Sequence, residues 1–195
     1  MMPEFDDFDD MPLWVEWDGE NVQHLKAGRV YLAGEIGEAA SPERYIDILA
    51  DRSGAQIELV ISSGGGAVDA ALAIIRAVQR AQLSGKVVRG VVRGMAASMA
   101  LVILQVCDER IMHDGDALMA HGSTTALKGD SGTLEQERNL LLYWHDYFAA
   151  LYAARTKHDA DYWKLMFESD TRHYYTATEA LEERLVDRVV SSPVL

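Results

Sequence analysis

Cationic side chains are scarce in this chain. Its 195 residues carry 18 Lys and Arg against 31 Asp and Glu, a formal net charge of −13. Such a field repels a polyanion, and the basic residues gather nowhere more tightly than around Arg76, Arg80, Lys86, Arg89 and Arg93. No nucleic acid partner is expected, and anionic membrane surfaces are disfavoured for the same reason. Cysteine is nearly absent. Cys107 stands alone, so no intramolecular disulfide can form, which suits a reducing compartment. Long apolar runs are missing too. The longest, Met95 to Cys107, is too short to span a bilayer and contains Ser98 and Gln105. The first ten residues hold five carboxylates and lack the basic start and apolar stretch of a secretory signal. The expectation is a cytoplasmic protein with no membrane contact. GxGxxG, GK[ST] and GxSxG are also absent, which disfavours dinucleotide folds, P-loops and α/β-hydrolases.

What is present is an ordinary globular composition, 49% hydrophobic and 25% charged. The length suffices for one core without disulfide or metal staples. Residues 1–25 read as an acidic tail and lead-in, and 26–195 as one domain without repeats or linkers. Short apolar runs then alternate with helical patterns. Arg29 to Ala33 reads as a strand. Ser41-Pro42-Glu43 opens a helix whose Tyr45, Ile48 and Leu49 share a face. Gln56 to Ile61 is a strand, Ser62 to Gly66 a flexible turn, Ala67 to Leu83 a helix, Lys86 to Val92 a strand and Met95 to Cys107 a buried helix. Arg110 to Met112 and Ala117 to Ala120 are short strands. This order predicts βαβ units and a largely parallel sheet. Further on, Thr133-Leu134-Glu135-Gln136 reads as a capping box opening a helix to about Arg155. That helix carries Tyr143, Trp144, Tyr147, Phe148 and Tyr152, more aromatic surface than packing on its own domain requires. Thr176 to Glu179 is a second capping box, and Leu185 to Val190 a closing strand.

Three features could carry chemistry. Ser63-Gly64-Gly65-Gly66, between a strand and a helix, lets backbone N–H groups approach a ligand, although a plain turn looks the same. Gly94 to Ala100 places Ser98 at a helix start. The positive end of the helix dipole there favours alkoxide and oxyanion character; a Ser serving only as N-cap is the common alternative. His121 follows a strand and precedes a flexible segment, as a general base or as a structural histidine. His113-Asp114-Gly115-Asp116 reads as a polar turn rather than a metal cluster.

Taken together, these segments resemble the Clp protease proteolytic subunit family, ClpP-like serine peptidases. The likeness runs from about Val30 to Val190. It is carried by the glycine turn, Gly94 to Met99, His121 after its strand, and Thr176-Ala177-Thr178-Glu179-Ala180 with Leu185-Val186-Asp187. The resemblance implies an α/β, crotonase-like βαβ spiral with a protruding helical handle formed by Gly122 to Gly132 and the helix after it. It implies a serine endopeptidase acting on peptides or unfolded proteins inside a homo-oligomeric ring or double ring. No metal or other cofactor is implied. The acidic N-terminus departs from what the family uses at its axial pore, which leaves an ATPase unfoldase partner open.

The implied roles fall residue by residue. Ser98 matches the nucleophile and His121 the base. Gly65 and Met99 match the oxyanion-hole amides, with Gly64 replacing the family's proline. An extended substrate would lie between Gly66-Ala67 and Gly122-Ser123. The third triad member matches least well. Counted back from Tyr174, its position holds Arg172, which cannot accept an imidazole N–H. Counted forward from the long helix, it holds Asp170, which is therefore taken as the acid. Asp116, Glu168 and no acid at all stay open. CoA-binding hydratases share the spiral but need no Ser-His pair. Signal-peptide peptidases need a Lys and an anchor. A non-catalytic ring subunit is the remaining alternative.

Overall fold

The computed structural model of the chain describes residues 15–17, 21–23, 28–37, 46, 56–122, 130–169 and 171–191. Strands β1 (Val15–Trp17) and β2 (Asn21–Gln23) pair antiparallel within the stretch expected to be a lead-in. The helix expected after Ser41 lies outside the described residues except for Ile46, which is helical and fully buried.

The sheet is built from β3 (Arg29–Ile36), β4 (Gln56–Gly66), β5 (Val87–Ala97), β6 (Glu109–His113) and β9 (Arg188–Val190), side by side and all parallel. Strand β7 (Ala117–Ala120) pairs with the far end of β5, and β8 (His173–Tyr175) pairs antiparallel with β7. Helices α1 (Val68–Leu83) and α2 (Met99–Val106) are the crossovers of the expected βαβ units. The pattern explains this. Ile57, Leu59 and Ile61 alternate inward along β4, and Ala71, Ile74, Ile75 and Val78 recur at helical spacing on α1. Nearly all of α2 is buried, as its apolar sequence requires. It lies so close to β5 that a Cβ at Gly90 would stand 2.6 Å from Leu104 and 3.0 Å from Cys107 Sγ.

Several boundaries differ from expectation for physical reasons. Ser62 to Gly66 is not a free turn. The glycines continue β4, with Gly65 opposite Glu35 and Gly66 opposite Ile36 after a bulge. Met95 to Ala97 belongs to β5 rather than to the helix, because these residues pair with Ala117 to Met119 of β7.

Helix α3 (Ser131–Ala153) is capped by Asp130, whose carboxylate accepts from Thr133 N–H, so Thr133 is not the cap. No residue of α3 before His145 is buried, and its N-terminal half projects from the core. Of its aromatics, Phe148 and Tyr152 are buried in the chain's own core, and Trp144 and Tyr147 pack against it. Tyr143 (65% exposed), together with Leu140, is what remains for a partner. Helix α4 (Ala160–Glu168), unforeseen in the sequence, buries Trp163, Met166 and Phe167, the first and last of them beside Tyr152. The capping box at Thr176 is present and opens α5 (Ala177–Glu182).

One buried ionic group ties β6 to the residue that precedes β9. Arg110, 2% exposed, donates to both oxygens of Asp187 and to Gln105 Oε1. The Asp187 carboxyl resists its own partial burial and is held below the usual carboxylate range by these Arg110 bonds and charge.

Candidate active site

Register in the sheet assembles the site. Ala97 is the last residue of β5 and lies opposite Met119 of β7. Ser98 follows at once, its N–H donating to the Met119 carbonyl at 2.8 Å, and His121 stands two residues past Met119. Both side chains therefore emerge at the C-terminal ends of adjacent parallel strands, where α/β sheets open their crevices. His121 Nε2 lies 2.8 Å from Ser98 Oγ.

Ser98 occupies the N-cap position of α2, yet it makes no side-chain cap bond. Its φ of 53° is a conformation that L-residues rarely adopt and that costs on the order of 1–3 kcal/mol. The Ser98 side chain is thus not used as a cap. The oxygen faces an imidazole instead of the helix backbone, while the helix start still supplies its positive field.

The glycine segment closes on this hydroxyl. Gly65 (φ 100°) is so near that a Cβ there would lie 2.6 Å from Ser98 Cβ and 3.1 Å from Met99 N. Gly65 and Met99, the residues expected to supply the oxyanion amides, are therefore close neighbours. The Gly65 N–H donates to Ser63 Oγ at 3.1 Å, and Ser63 Oγ in turn donates to the Gly34 carbonyl. Ser63, buried and braced between two strands, stood in the glycine segment singled out in the sequence but was given no role of its own there. Ala67 N–H is engaged by the Ile36 carbonyl, and Gly66 is held against Ile36. Gly122 is buried with its α-carbon against the Phe167 carbonyl. Ser123 lies outside the described residues.

His121 is pulled below its ordinary pKa, first by burial and second by the positive charge of Arg172, against a backbone hydrogen bond at Gly122 that favours the charged form. Arg172 thus brings a cation to the imidazole, at the position that counting back from Tyr174 assigns to the acid. Asp170 lies outside the described residues. Asp116 is occupied elsewhere, accepting Gly94 N–H and His113 N–H in the turn before β7. Glu168 is exposed on the rim of a cavity of about 540 Å³ that His121, Arg138, His145 and Arg172 also line. A second cavity, of about 90 Å³, touches Ser98 itself. Among the described residues no helix is long and apolar enough to cross a membrane.

A family model described as Clp protease matches residues 20–193. The proteolytic subunit 3 of the ATP-dependent Clp protease of Rhodococcus jostii (strain RHA1) is 31% identical, over 88% of each chain. Subunit 2 from Tropheryma whipplei (strain Twist) is 29% identical over 82% of this chain and 89% of its own. Subunit 1 from Streptomyces avermitilis is 28% identical over 90% and 82%. The mixed α/β architecture with its parallel sheet is that of the ClpP-like, crotonase-like spiral anticipated from the motifs. A hydroxyl and an imidazole at hydrogen-bond distance, raised on such a sheet and matched along most of its length, place this chain in the Clp protease family.

Proposed function

We propose that the chain is a serine endopeptidase that cleaves peptides or unfolded proteins by acyl-enzyme catalysis. The observation that carries this reading is the 2.8 Å contact between Ser98 Oγ and His121 Nε2. His121 takes the hydroxyl proton as Oγ attacks the substrate carbonyl. It then returns that proton to the leaving amine, and water repeats the sequence on the ester. The N–H groups of Gly65 and Met99 receive the oxyanion, with Ser63 Oγ sharing the first. The lowered pKa of His121 keeps the base neutral, and so competent, at neutral pH. Asp170 supplies the carboxylate for the other imidazole nitrogen in this reading.

The chamber is a homo-oligomeric ring or double ring, with the projecting half of α3 and its exposed Leu140 and Tyr143 meeting a second copy. The relatives are named subunits of ATP-dependent proteases; by that analogy an ATPase ring delivers unfolded chains to a cytoplasmic complex. One observation favours a second reading, a non-catalytic ring subunit: Arg172 brings a positive charge to His121.

A fluorophosphonate probe separates the two. A peptidase labels at Ser98 and cleaves a short fluorogenic peptide, and Ser98→Ala loses on the order of 10⁶-fold in kcat while keeping its fold and assembly. Undiminished cleavage by Ser98→Ala overturns the mechanism.

A further inference from the structure

Two residues of β4, Ser63 and Gly64, stand opposite a single residue of β3, Gly34, because Ala33 pairs with Ser62 and Glu35 with Gly65. A bulge of this kind interrupts the ladder and leaves backbone groups to find other partners. Ser63 is such a partner, and it is 3% exposed. Its hydroxyl donates to the Gly34 carbonyl, and its oxygen accepts the Gly65 N–H at 3.1 Å. Its neighbour Ser62 is exposed.

The amide that Ser63 holds joins Gly64 to Gly65. No Cβ flanks it on either side, and glycine takes either sign of φ at little cost, so the local backbone does not fix where this N–H points. Nothing stands within 4 Å of the Cβ position of Gly64 to wall it in. The hydroxyl is fixed by its bond to β3, and donating to one carbonyl makes it a better acceptor for the N–H. Gly65 is also the glycine whose Cβ position lies 2.6 Å from Ser98 Cβ and 3.1 Å from Met99 N. A bond of 3.1 Å between neutral groups is at the long end of the ordinary range, so it orients the N–H without consuming it. One hydrogen can be shared between two acceptors, and a charged oxyanion is the stronger of the two.

Resting on the peptidase reading above, the geometry points to Ser63 as a positioning residue of the oxyanion site. The series of Gly34 carbonyl, Ser63 hydroxyl and Gly65 N–H passes the register of β3 and β4 to the donor beside Ser98. The N–H is thereby aimed before the substrate oxygen gains charge. Such preorganisation acts on the transition state and leaves ground-state binding alone. Losing an oxyanion donor outright costs about 10²–10³-fold in kcat, and a donor kept but no longer aimed loses part of that.

The test compares full-length wild type, Ser63→Ala, Ser63→Cys and Ser62→Ala on one fluorogenic peptide and on the matching peptide aldehyde, whose adduct with a serine carries the tetrahedral oxygen. Ser63→Ala should lower kcat about tenfold or more, keep KM within about threefold, and weaken the aldehyde in step with kcat. Ser63→Cys keeps the bulk in the buried site and offers a much weaker acceptor, so it should show the same loss; it decides the matter if Ser63→Ala does not fold. Ser62→Ala should match wild type. A kcat within about twofold of wild type, or above it, in a folded Ser63 variant overturns the proposal. So does a loss confined to KM, or a fall in kcat that leaves the aldehyde affinity unchanged, since a merely structural serine would give these. In all of them, cleavage and fluorophosphonate labelling by wild type show that the peptidase itself still stands. Wild type that neither labels nor cleaves refutes the peptidase reading, and the role of Ser63 falls with it.

Discussion

Gly65→Ala puts one methyl group against the nucleophile, and the distances say what it does. The new Cβ would stand 2.6 Å from Ser98 Cβ, 2.9 Å from the Ala97 carbonyl oxygen and 3.1 Å from Met99 N. Carbon atoms are at ease at roughly 3.5–4.0 Å, so about 1 Å of movement is needed. No flexible side-chain end is there to give way, since the neighbours are backbone and a Cβ. Moving a reacting group by about 1 Å costs on the order of 10²-fold in rate, or about 2.7 kcal/mol of barrier. The φ of 100° adds strain of about 1–2 kcal/mol to the folded state. Gly64 supplies the control. A Cβ there meets nothing within 4 Å, and its φ is not in the left-handed range. The assay is kcat/KM on a fluorogenic peptide together with thermal unfolding for both variants. Gly65→Ala should lose about 100-fold in turnover and several degrees of Tm, and Gly64→Ala should lose neither. Equal turnover in the two variants would refute the claim that the glycine segment closes on the hydroxyl.

Three further outcomes follow from other contacts. Arg172→Gln removes a positive charge that favours neutral imidazole, so the His121 pKa rises and the acid limb of kcat/KM moves to higher pH; a pH profile identical to wild type would show that the guanidinium does not act on His121. Arg110→Leu removes a buried guanidinium and its bonds to Asp187 and Gln105, leaving Asp187 the Arg110 N–H and Arg155, and should cost about 3 kcal/mol, which for a domain of this size is roughly 6–12 °C in Tm. Because the Asp187 pKa is lowered on folding, the share of stability it carries is present above the unfolded carboxyl pKa and is lost as pH falls through the folded value, so the gap between variant and wild type should narrow in acid. Asp170→Asn should cut turnover by orders of magnitude with little change in Tm, whereas Asp116→Asn, which weakens two backbone hydrogen bonds of a turn, should shift Tm by a few degrees and spare turnover.

The proximity of Ser98 and His121 was legible in the sequence because two chemical types stood at structurally telling places. A serine stood where an apolar helix begins, and a histidine stood just past a strand of the expected length. Local patterns also delivered the parallel core and the Thr176 capping box. Features that depend on distant pairing stayed hidden. Three glycines in a row look like a turn until Glu35 and Ile36 are known to lie opposite two of them. Met95 to Ala97 look helical until β7 is placed beside them. The aromatic residues of α3 looked surplus because α4, whose Trp163 and Phe167 meet Tyr152, had not been seen. Its signal was there to use: Asp159 as cap, then Trp163, Met166 and Phe167 at helical spacing. Arg172 beside His121 is a charge effect across the fold, which no local pattern records.

The bond from Ser98 N–H to the Met119 carbonyl means that the distance between Ser98 and His121 is counted in strand register and not in loop length. Only a slip of β7 along β5 can alter that count, and a slip of one residue would turn Leu118 out of the core. The spacing of the pair is therefore a property of the hydrogen bonding of the sheet, and a substitution that leaves the pairing of β5 with β7 intact leaves that spacing in place.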